Sequence, residues 1–172
     1  MKMTLGPLVA CCLALAACTG SEDAALDPAG SPVTNSTTSG DVTAAGLPAP
    51  GTVEYFNSVI GDRVFFETDS ITINPASADV LSQQATWLRD NPGSTAMIEG
   101  HADERGTREY NLALGARRAE AVRSFLVAQG VDAGRLESVS YGKERPVAVC
   151  SNESCWSENR RGVTVLAGGP TS

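Results

Sequence analysis

The chain has 172 residues and a formal net charge of −7. This length is sufficient for one domain of ordinary size. Binding to nucleic acid or to an anionic membrane through a basic patch requires a surplus of Lys and Arg that this chain lacks, so its charge argues against both partners. Any anion must therefore be bound by a local group of basic side chains.

The N-terminus has the pattern of a secretory signal. An apolar run follows Met-Lys-Met and is too short to span a bilayer, which predicts a signal peptide over residues 1–17. The run ends Leu15-Ala16-Ala17-Cys18 and so resembles the bacterial lipobox, in which the cysteine is lipidated and becomes the mature N-terminus. An ordinary secretory signal with an incidental cysteine is the alternative. Two or more acyl chains on Cys18 would anchor the protein durably.

A polar segment separates Cys18 from the rest of the chain. Residues 19–52 contain no Lys or Arg and no periodic apolar pattern, which is typical of a flexible linker. Such a coil reaches on the order of 30 Å. We therefore expect a lipidated N-terminus and linker over residues 18–52 and one folded domain over residues 53–172.

The cysteines fall into two groups. Of the five, Cys11 and Cys12 would leave with the signal peptide and Cys18 would carry lipid. Cys150 and Cys155 then remain in an oxidising compartment, where we expect them to form a disulfide. The alternatives are two free thiols or, less favoured, a metal site with only two ligands.

The predicted elements alternate between strand and helix. Asn74-Pro75 has the pattern of a helix start, and apolar residues at helical spacing follow it. The order is a strand at 63–66, a helix at 75–90, a strand at 95–99, a polar loop at 100–106, a helix at 108–129, a strand at 136–141, a short helix at 155–159 and a strand at 162–166. This βαβαβ(α)β order predicts an α/β fold, an α+β two-layer sandwich of one sheet with helices packed on it.

An arginine interrupts the apolar face of the long predicted helix. Arg118 falls among Leu114, Ala121, Val122 and Phe125. A guanidinium group cannot be neutralised, so we expect Arg118 to pair with a carboxylate or a bound anion.

Two further polar residues are expected near that arginine. Asn111 lies two turns earlier on the same side of the helix, and Asp103 lies in the loop before it, so the three side chains are expected to converge at the end of the strand. An internal Arg118–Asp103 salt bridge is the alternative to a ligand site.

Catalysis and metal binding are not expected in this loop. His101, Asp103 and Glu104 would be the metal candidates, but the chain has one histidine and the spacing matches no metal motif. Asp103 and Glu104 adjoin each other and point in different directions, so they do not form an acid–base pair. We therefore expect no enzyme activity and no cofactor, and we expect His101 to be half-buried and hydrogen-bonded to the backbone.

The polar loop and the long helix resemble a known family. Their motif is similar to the signature of OmpA-like peptidoglycan-binding domains, and the resemblance covers about residues 60–167. The matching residues are Gly100-His101-Ala102-Asp103-Glu104-Arg105-Gly106-Thr107, Tyr110-Asn111, Leu114, Arg117-Arg118-Ala119, Val122, Ser140-Tyr141-Gly142-Lys143-Glu144-Arg145-Pro146 and Asn159-Arg160-Arg161. The resemblance implies a four-stranded mixed sheet with helices packed on one face.

The resemblance also implies a ligand, the meso-diaminopimelate of a peptidoglycan stem peptide. Asp103 would pair with its side-chain ammonium group, and Arg118 would bind the neighbouring carboxylate. Asn111 would add an amide contact, and Ala102 with the backbone N–H groups of the loop would add anion contacts. The chain departs from the family at Phe65-Phe66-Glu67-Thr68-Asp69 and at Arg108, where proline is frequent.

The family further implies a place in the cell. Thr19 follows Cys18, whereas Asp there is the usual inner-membrane retention signal, so we expect an outer-membrane lipoprotein whose domain faces the periplasm. TolB and other Tol proteins are the implied partners, with a role in outer-membrane integrity and in envelope constriction at cell division. An OmpA-like lipoprotein outside the Tol system is one alternative, and a cell-wall hydrolase is another.

Overall fold

The structure, a computed structural model, describes residues 46–167. The predicted signal peptide, the lipidated Cys18 and the linker as far as residue 45 lie outside the described residues and stay predictions, as do the domain boundaries. Over residues 46–167, none of the helices combines the length and the apolar character needed to cross a bilayer.

A short helical segment that the sequence pattern did not predict precedes the first strand. Helix α1 (Val53–Tyr55) begins at the cap Thr52, whose side chain accepts a hydrogen bond from the Tyr55 N–H, and continues as a π-helical turn over Phe56–Gly61. Phe56 is fully buried, and its ring packs edge-on against Trp87 with 5.1 Å between the centroids. This packing stabilises a segment too short to show helical periodicity in the sequence.

The remaining elements follow the predicted order. They are β1 (Arg63–Phe65), α2 (Pro75–Asp90), β2 (Thr95–His101), α3 (Arg108–Ala128), a 3₁₀ turn (Ala133–Arg135), β3 (Leu136–Gly142), α4 (Glu153–Asn159) and β4 (Arg161–Ala167). Helix α2 begins as predicted, because Asn74 Oδ1 accepts the Ser77 N–H at 2.8 Å and Pro75 occupies the first helical position.

The four strands form one mixed sheet in the order β1-β4-β2-β3. Strand β4 pairs antiparallel with both β1 and β2, whereas β2 and β3 are parallel. The predicted α/β fold with a mixed four-stranded sheet is confirmed. Strand β2 runs two residues further than predicted, so His101 belongs to the strand and not to the loop.

Helix α3 lies unusually close to the sheet. A Cβ atom on Gly100 of β2 would stand 1.8 Å from the carbonyl oxygen of Gly115 in α3, so only glycine allows this approach. The buried face of α3 is rotated slightly from the predicted one. Ala119 and Leu126 are fully buried, while Ala121 and Phe125, predicted for that face, are only half-buried.

Candidate functional site

A small pocket with both acidic and basic side chains lies where the loop after β2 meets the start of α3. Its volume is about 200 Å³. The segment after β1 forms the opposite wall. We call it the charged pocket, and it is lined by Thr68, Asp69, Asp103, Arg105, Gly106, Tyr110, Asn111, Leu114 and Arg118.

Arg118 is fully buried, and its bonds differ from those expected. Its Nε donates to the Ser70 carbonyl at 2.9 Å, Nη1 to the His101 carbonyl at 2.9 Å and Nη2 to the Glu67 carbonyl at 3.1 Å. Of the two partners expected from the sequence, a carboxylate or a bound anion, the carboxylate is not found among the described residues, where three backbone carbonyls accept from the group. A guanidinium has five N–H donors, so two of its N–H groups make no hydrogen bond within residues 46–167. Burial, then the charge of Arg160, lowers the Arg118 pKa to about 10.

Asp103 pairs with two other arginines. Its Oδ2 lies 2.6 Å from Arg105 Nη2 and 3.4 Å from Arg160 Nη1. The Arg118–Asp103 salt bridge considered from the sequence does not form. Burial alone would raise the pKa of Asp103, but hydrogen bonds from the Arg105 side chain and backbone, with a further one from Arg160, lower it below the ordinary value. The carboxylate is therefore charged at neutral pH.

Of the other two predicted site residues, one lines the charged pocket and one does not. Asn111 is buried and lines the charged pocket, where its Nδ2 donates to the Arg105 carbonyl at 2.7 Å. Ala102 is buried but does not line the pocket, and its N–H donates to the Gly142 carbonyl at 2.8 Å. The predicted anion contact from Ala102 is corrected accordingly, because that N–H continues the pairing between β2 and β3.

Six of the lining residues were not predicted as site residues, namely Thr68, Asp69, Arg105, Gly106, Tyr110 and Leu114. Asp69 adopts a left-handed backbone conformation, with φ of 54°, which non-glycine residues rarely adopt outside special sites. Its carboxylate accepts a hydrogen bond from the Tyr110 hydroxyl, which raises the pKa of Tyr110. Thr68 lies beside Asp69. The departure from the family pattern at residues 65–69 was the available signal in the sequence for this wall of the pocket.

Helix α4 supports the loop from behind. The sulfur atoms of Cys150 and Cys155 are bonded, with 5.6 Å between the Cα atoms, at the start of this helix. Trp156 Nε1 donates to Glu104 at 3.1 Å, and the guanidinium carbon of Arg105 lies 4.2 Å from the Trp156 ring centroid. The disulfide thus fixes the segment that presents Trp156 to the loop.

Glu153 and Arg160, at the two ends of α4, form a second support. Arg160 donates to Glu153 and, at 3.0 Å, to the Phe66 carbonyl. Because Arg160 also bonds Asp103, the helix is linked directly to the acidic group of the charged pocket.

His101 lies behind the pocket and differs from its prediction. It is 1% exposed, and neither ring nitrogen makes a hydrogen bond, although Nε2 lies 3.4 Å from Glu99 Oε2. The expected half-buried, backbone-bonded state is wrong, because the ring packs against Tyr141. Burial, then the charges of Arg161 and Arg145, lowers its pKa to about 4.

The lowered pKa of His101 predicts how the free energy of unfolding depends on pH. Between pH 6.5 and 4 the unfolded state binds a proton that the folded state does not, so the free energy of unfolding falls as pH falls through that window, by up to about 3 kcal/mol. In the His101→Phe variant this part of the dependence should vanish. Urea unfolding at pH 4.5 and pH 7 measures the difference; equal pH dependence in both proteins would contradict it.

Two other depressions are larger than the charged pocket. One of about 360 Å³ lies between β1 and α4, and one of about 400 Å³ lies beside Trp87. The charged pocket differs in having equal numbers of acidic and basic groups, since two carboxylates and two guanidinium groups line the same space. Within residues 46–167 no group of three His, Cys, Asp or Glu side chains is placed to hold a metal.

The fold and the motif that lines the pocket define the class of protein. The OmpA family pattern matches residues 65–160, and the chain belongs to this family. Among its relatives, the peptidoglycan-associated lipoprotein of Agrobacterium fabrum is 58% identical over 124 residues, which cover 72% of this chain and 70% of the relative. That of Pseudomonas aeruginosa is 53% identical over 97 residues, or 56% and 57% of the two chains. The resemblance predicted from the sequence is confirmed.

Solved structures agree with this assignment. The crystal structure of the peptidoglycan-associated lipoprotein from Burkholderia pseudomallei matches with a TM-score of 0.61 and 44% identity, covering 62% of this chain and 90% of that one. The C-terminal domain of Helicobacter pylori MotB matches with a TM-score of 0.58 and 24% identity over 62% of this chain and 84% of that one. The second match shows a shared fold alone.

Proposed function

We propose that the protein is a lipoprotein that binds peptidoglycan non-covalently through the free end of meso-diaminopimelate in the stem peptide. The observation that carries the proposal is the charged pocket itself, in which Asp103 and Arg118 line one space. The names of the relatives, peptidoglycan-associated lipoproteins, support peptidoglycan as the polymer that is bound.

The chemistry of the pocket suits a zwitterion. The free end of diaminopimelate carries an ammonium and a carboxylate on one carbon, so the two charges arrive together. Asp103 accepts the ammonium, and Arg118 donates to the carboxylate. Because Arg118 is held by three backbone carbonyls, its remaining donors are fixed in direction before the ligand arrives. This preorganisation reduces the entropy lost on binding.

The wider role in the envelope follows from the N-terminal motif and the family. Lipidated Cys18 would anchor the chain in the outer membrane, with the domain in the periplasm, and the linker would give the domain its reach to the wall. TolB and the other Tol proteins are the proposed partners in envelope integrity and constriction at division. A pull-down with TolB discriminates this role from that of an OmpA-like lipoprotein outside the Tol system.

Ligand selectivity tests the proposed binding. A lysine-type stem lacks the second carboxylate and leaves the Arg118 donors unpaired, so we expect roughly 10- to 100-fold weaker binding than to a diaminopimelate-type stem. Titration calorimetry with the two tripeptides, alongside co-sedimentation with the two kinds of sacculi, measures the ratio.

Two outcomes would count against the proposal. Equal affinity for both stems would remove Arg118 as the carboxylate ligand. Release of soluble muropeptides from the sacculi during sedimentation would favour a hydrolase over a binding protein.

A further inference from the structure

In the charged pocket as it stands, Asp103 is already occupied by a cation of the protein itself. Arg105 Nη2 lies 2.6 Å from Oδ2, and Arg105 Nε lies 3.3 Å from Oδ1. The backbone N–H of Arg105 donates to Oδ1 as well, at 3.1 Å. Both carboxylate oxygens that a ligand ammonium would need are therefore engaged by the Arg105 side chain.

Arg105 is held much less firmly than the other two arginines near this carboxylate. The side chain of Arg160 is 4% exposed and also bonds the Phe66 carbonyl, and Arg118 is fully buried. The Arg105 side chain is 39% exposed. Apart from Asp103 it has the Trp156 ring and a 3.4 Å contact to Thr68 Oγ1. It can therefore leave Asp103 without opening the core.

A place for the displaced guanidinium exists next to the pocket. The Trp156 ring supports one face of Arg105, and the carboxylates of Glu153 and Glu104 interact favourably with its charge. Arginine stacks on an aromatic face through its planar group, so the stack can persist while the hydrogen bonds to Asp103 break. The exposed position also allows water to replace those bonds.

We propose that Arg105 is a built-in competitor for Asp103, which the ammonium group of the ligand must displace. The proposal rests on the proposed function, since it concerns the same pocket and ligand. An incoming ammonium exchanges one cation for another on Asp103, so the loss of the Arg105 ion pair offsets part of the binding energy that the ammonium contributes. The carboxylate bonded by Arg118 adds to the affinity, and a ligand that brings only an ammonium binds more weakly.

Removal of the competitor tests this directly. In the Arg105→Ala variant, Asp103 keeps the backbone N–H of residue 105 and Arg160, so the carboxylate stays oriented. We expect the diaminopimelate and lysine tripeptides both to bind roughly five- to tenfold more tightly, as the loss of a partly exposed ion pair implies. Affinity should also become more sensitive to salt, because binding no longer exchanges one protein cation for one ligand cation.

Three further variants make the test specific. Arg105→Lys keeps the charge but loses the paired hydrogen bonds to Asp103 and the stack on Trp156. Its affinities should therefore lie between those of wild type and Arg105→Ala. Trp156→Leu removes the stack and the Trp156 hydrogen bond to Glu104 but leaves the Arg105–Asp103 ion pair, so it should change both affinities far less than Arg105→Ala does. The matched control is Arg145→Ala, which removes one positive charge and one arginine–aromatic stack, on Tyr141, outside the pocket. It should leave both affinities unchanged.

The outcomes separate this inference from the function on which it rests. Unchanged or weaker binding by Arg105→Ala, with wild type binding normally, would overturn the competitor role and leave peptidoglycan binding standing. Weaker binding in that case would identify Arg105 as a ligand contact. If wild type binds neither tripeptide, the proposed function fails, and the inference fails with it.

Discussion

The Asp103→Asn variant is expected to lose detectable binding to diaminopimelate-type peptidoglycan, a decrease of at least about 100-fold. The amide keeps the size of the side chain and an oxygen for the backbone N–H of Arg105, but it removes the charge that the ligand ammonium requires. The amide also places N–H donors near Arg160. These donors repel the ammonium group of the ligand. Co-sedimentation with sacculi and titration calorimetry with the tripeptide measure the loss.

A neighbouring carboxylate supplies the control for charge. Glu104 adjoins Asp103, and its Oε1 accepts from Trp156 Nε1, which a glutamine oxygen can also do. Glu104→Gln therefore removes one negative charge from the same loop and should bind nearly as wild type does. If Asp103→Asn retains wild-type affinity, or if both variants lose it equally, Asp103 does not hold the ammonium.

The Arg118→Ala variant is expected to lose about 3–5 kcal/mol of unfolding free energy, a large effect for one residue. Three carbonyl oxygens, the buried one of His101 and the partly buried ones of Glu67 and Ser70, would lose their donor. The space of the side chain would also be left as a cavity beside Phe66. Urea unfolding measures the loss.

Its sequence neighbour provides the matched control. Arg117 is exposed on the same helix, so Arg117→Ala should change stability by no more than about 0.5 kcal/mol. Arg118→Lys separates the two roles of the buried arginine, because an ammonium has three donors for the three carbonyls and none left for the ligand. The Arg118→Lys variant should retain much of the wild-type unfolding free energy, but it should bind the ligand more weakly than wild type does. Equal losses of stability in Arg117→Ala and Arg118→Ala would show that the carbonyl contacts contribute little.

Local sequence signals predicted the helices and much of the fold. The Asn74 cap and the apolar spacing placed α2, and the family motif placed α3 and the mixed sheet. Helix α1 escaped prediction, because Phe56 is stabilised by Trp87, a contact between distant parts of the chain. The face of α3 was slightly wrong because the approach of Gly115 to Gly100 sets its rotation, and single-helix periodicity contains no information about that contact.

The candidate site was predicted in its residues better than in its contacts. An arginine in an apolar stripe correctly indicated a buried charge at residue 118. Two of its partners are the backbone carbonyls of Ser70 and Glu67, which lie 48 and 51 residues away in sequence, where no pattern indicates an acceptor. Likewise, the pairing of Asp103 with Arg160 depends on how α4 packs, which the loop motif does not encode.

The position of the pocket along β2 has a mechanical consequence. Near the end of α2, Trp87 Nε1 donates to the Pro50 carbonyl. This end of the helix leads into the start of β2. The charged pocket lies at the other end of the same strand. Strand β2 is hydrogen-bonded along its length to β3 on one side and to β4 on the other. A force applied along β2 would load both ladders in shear, so that many hydrogen bonds share the force and none is peeled open singly.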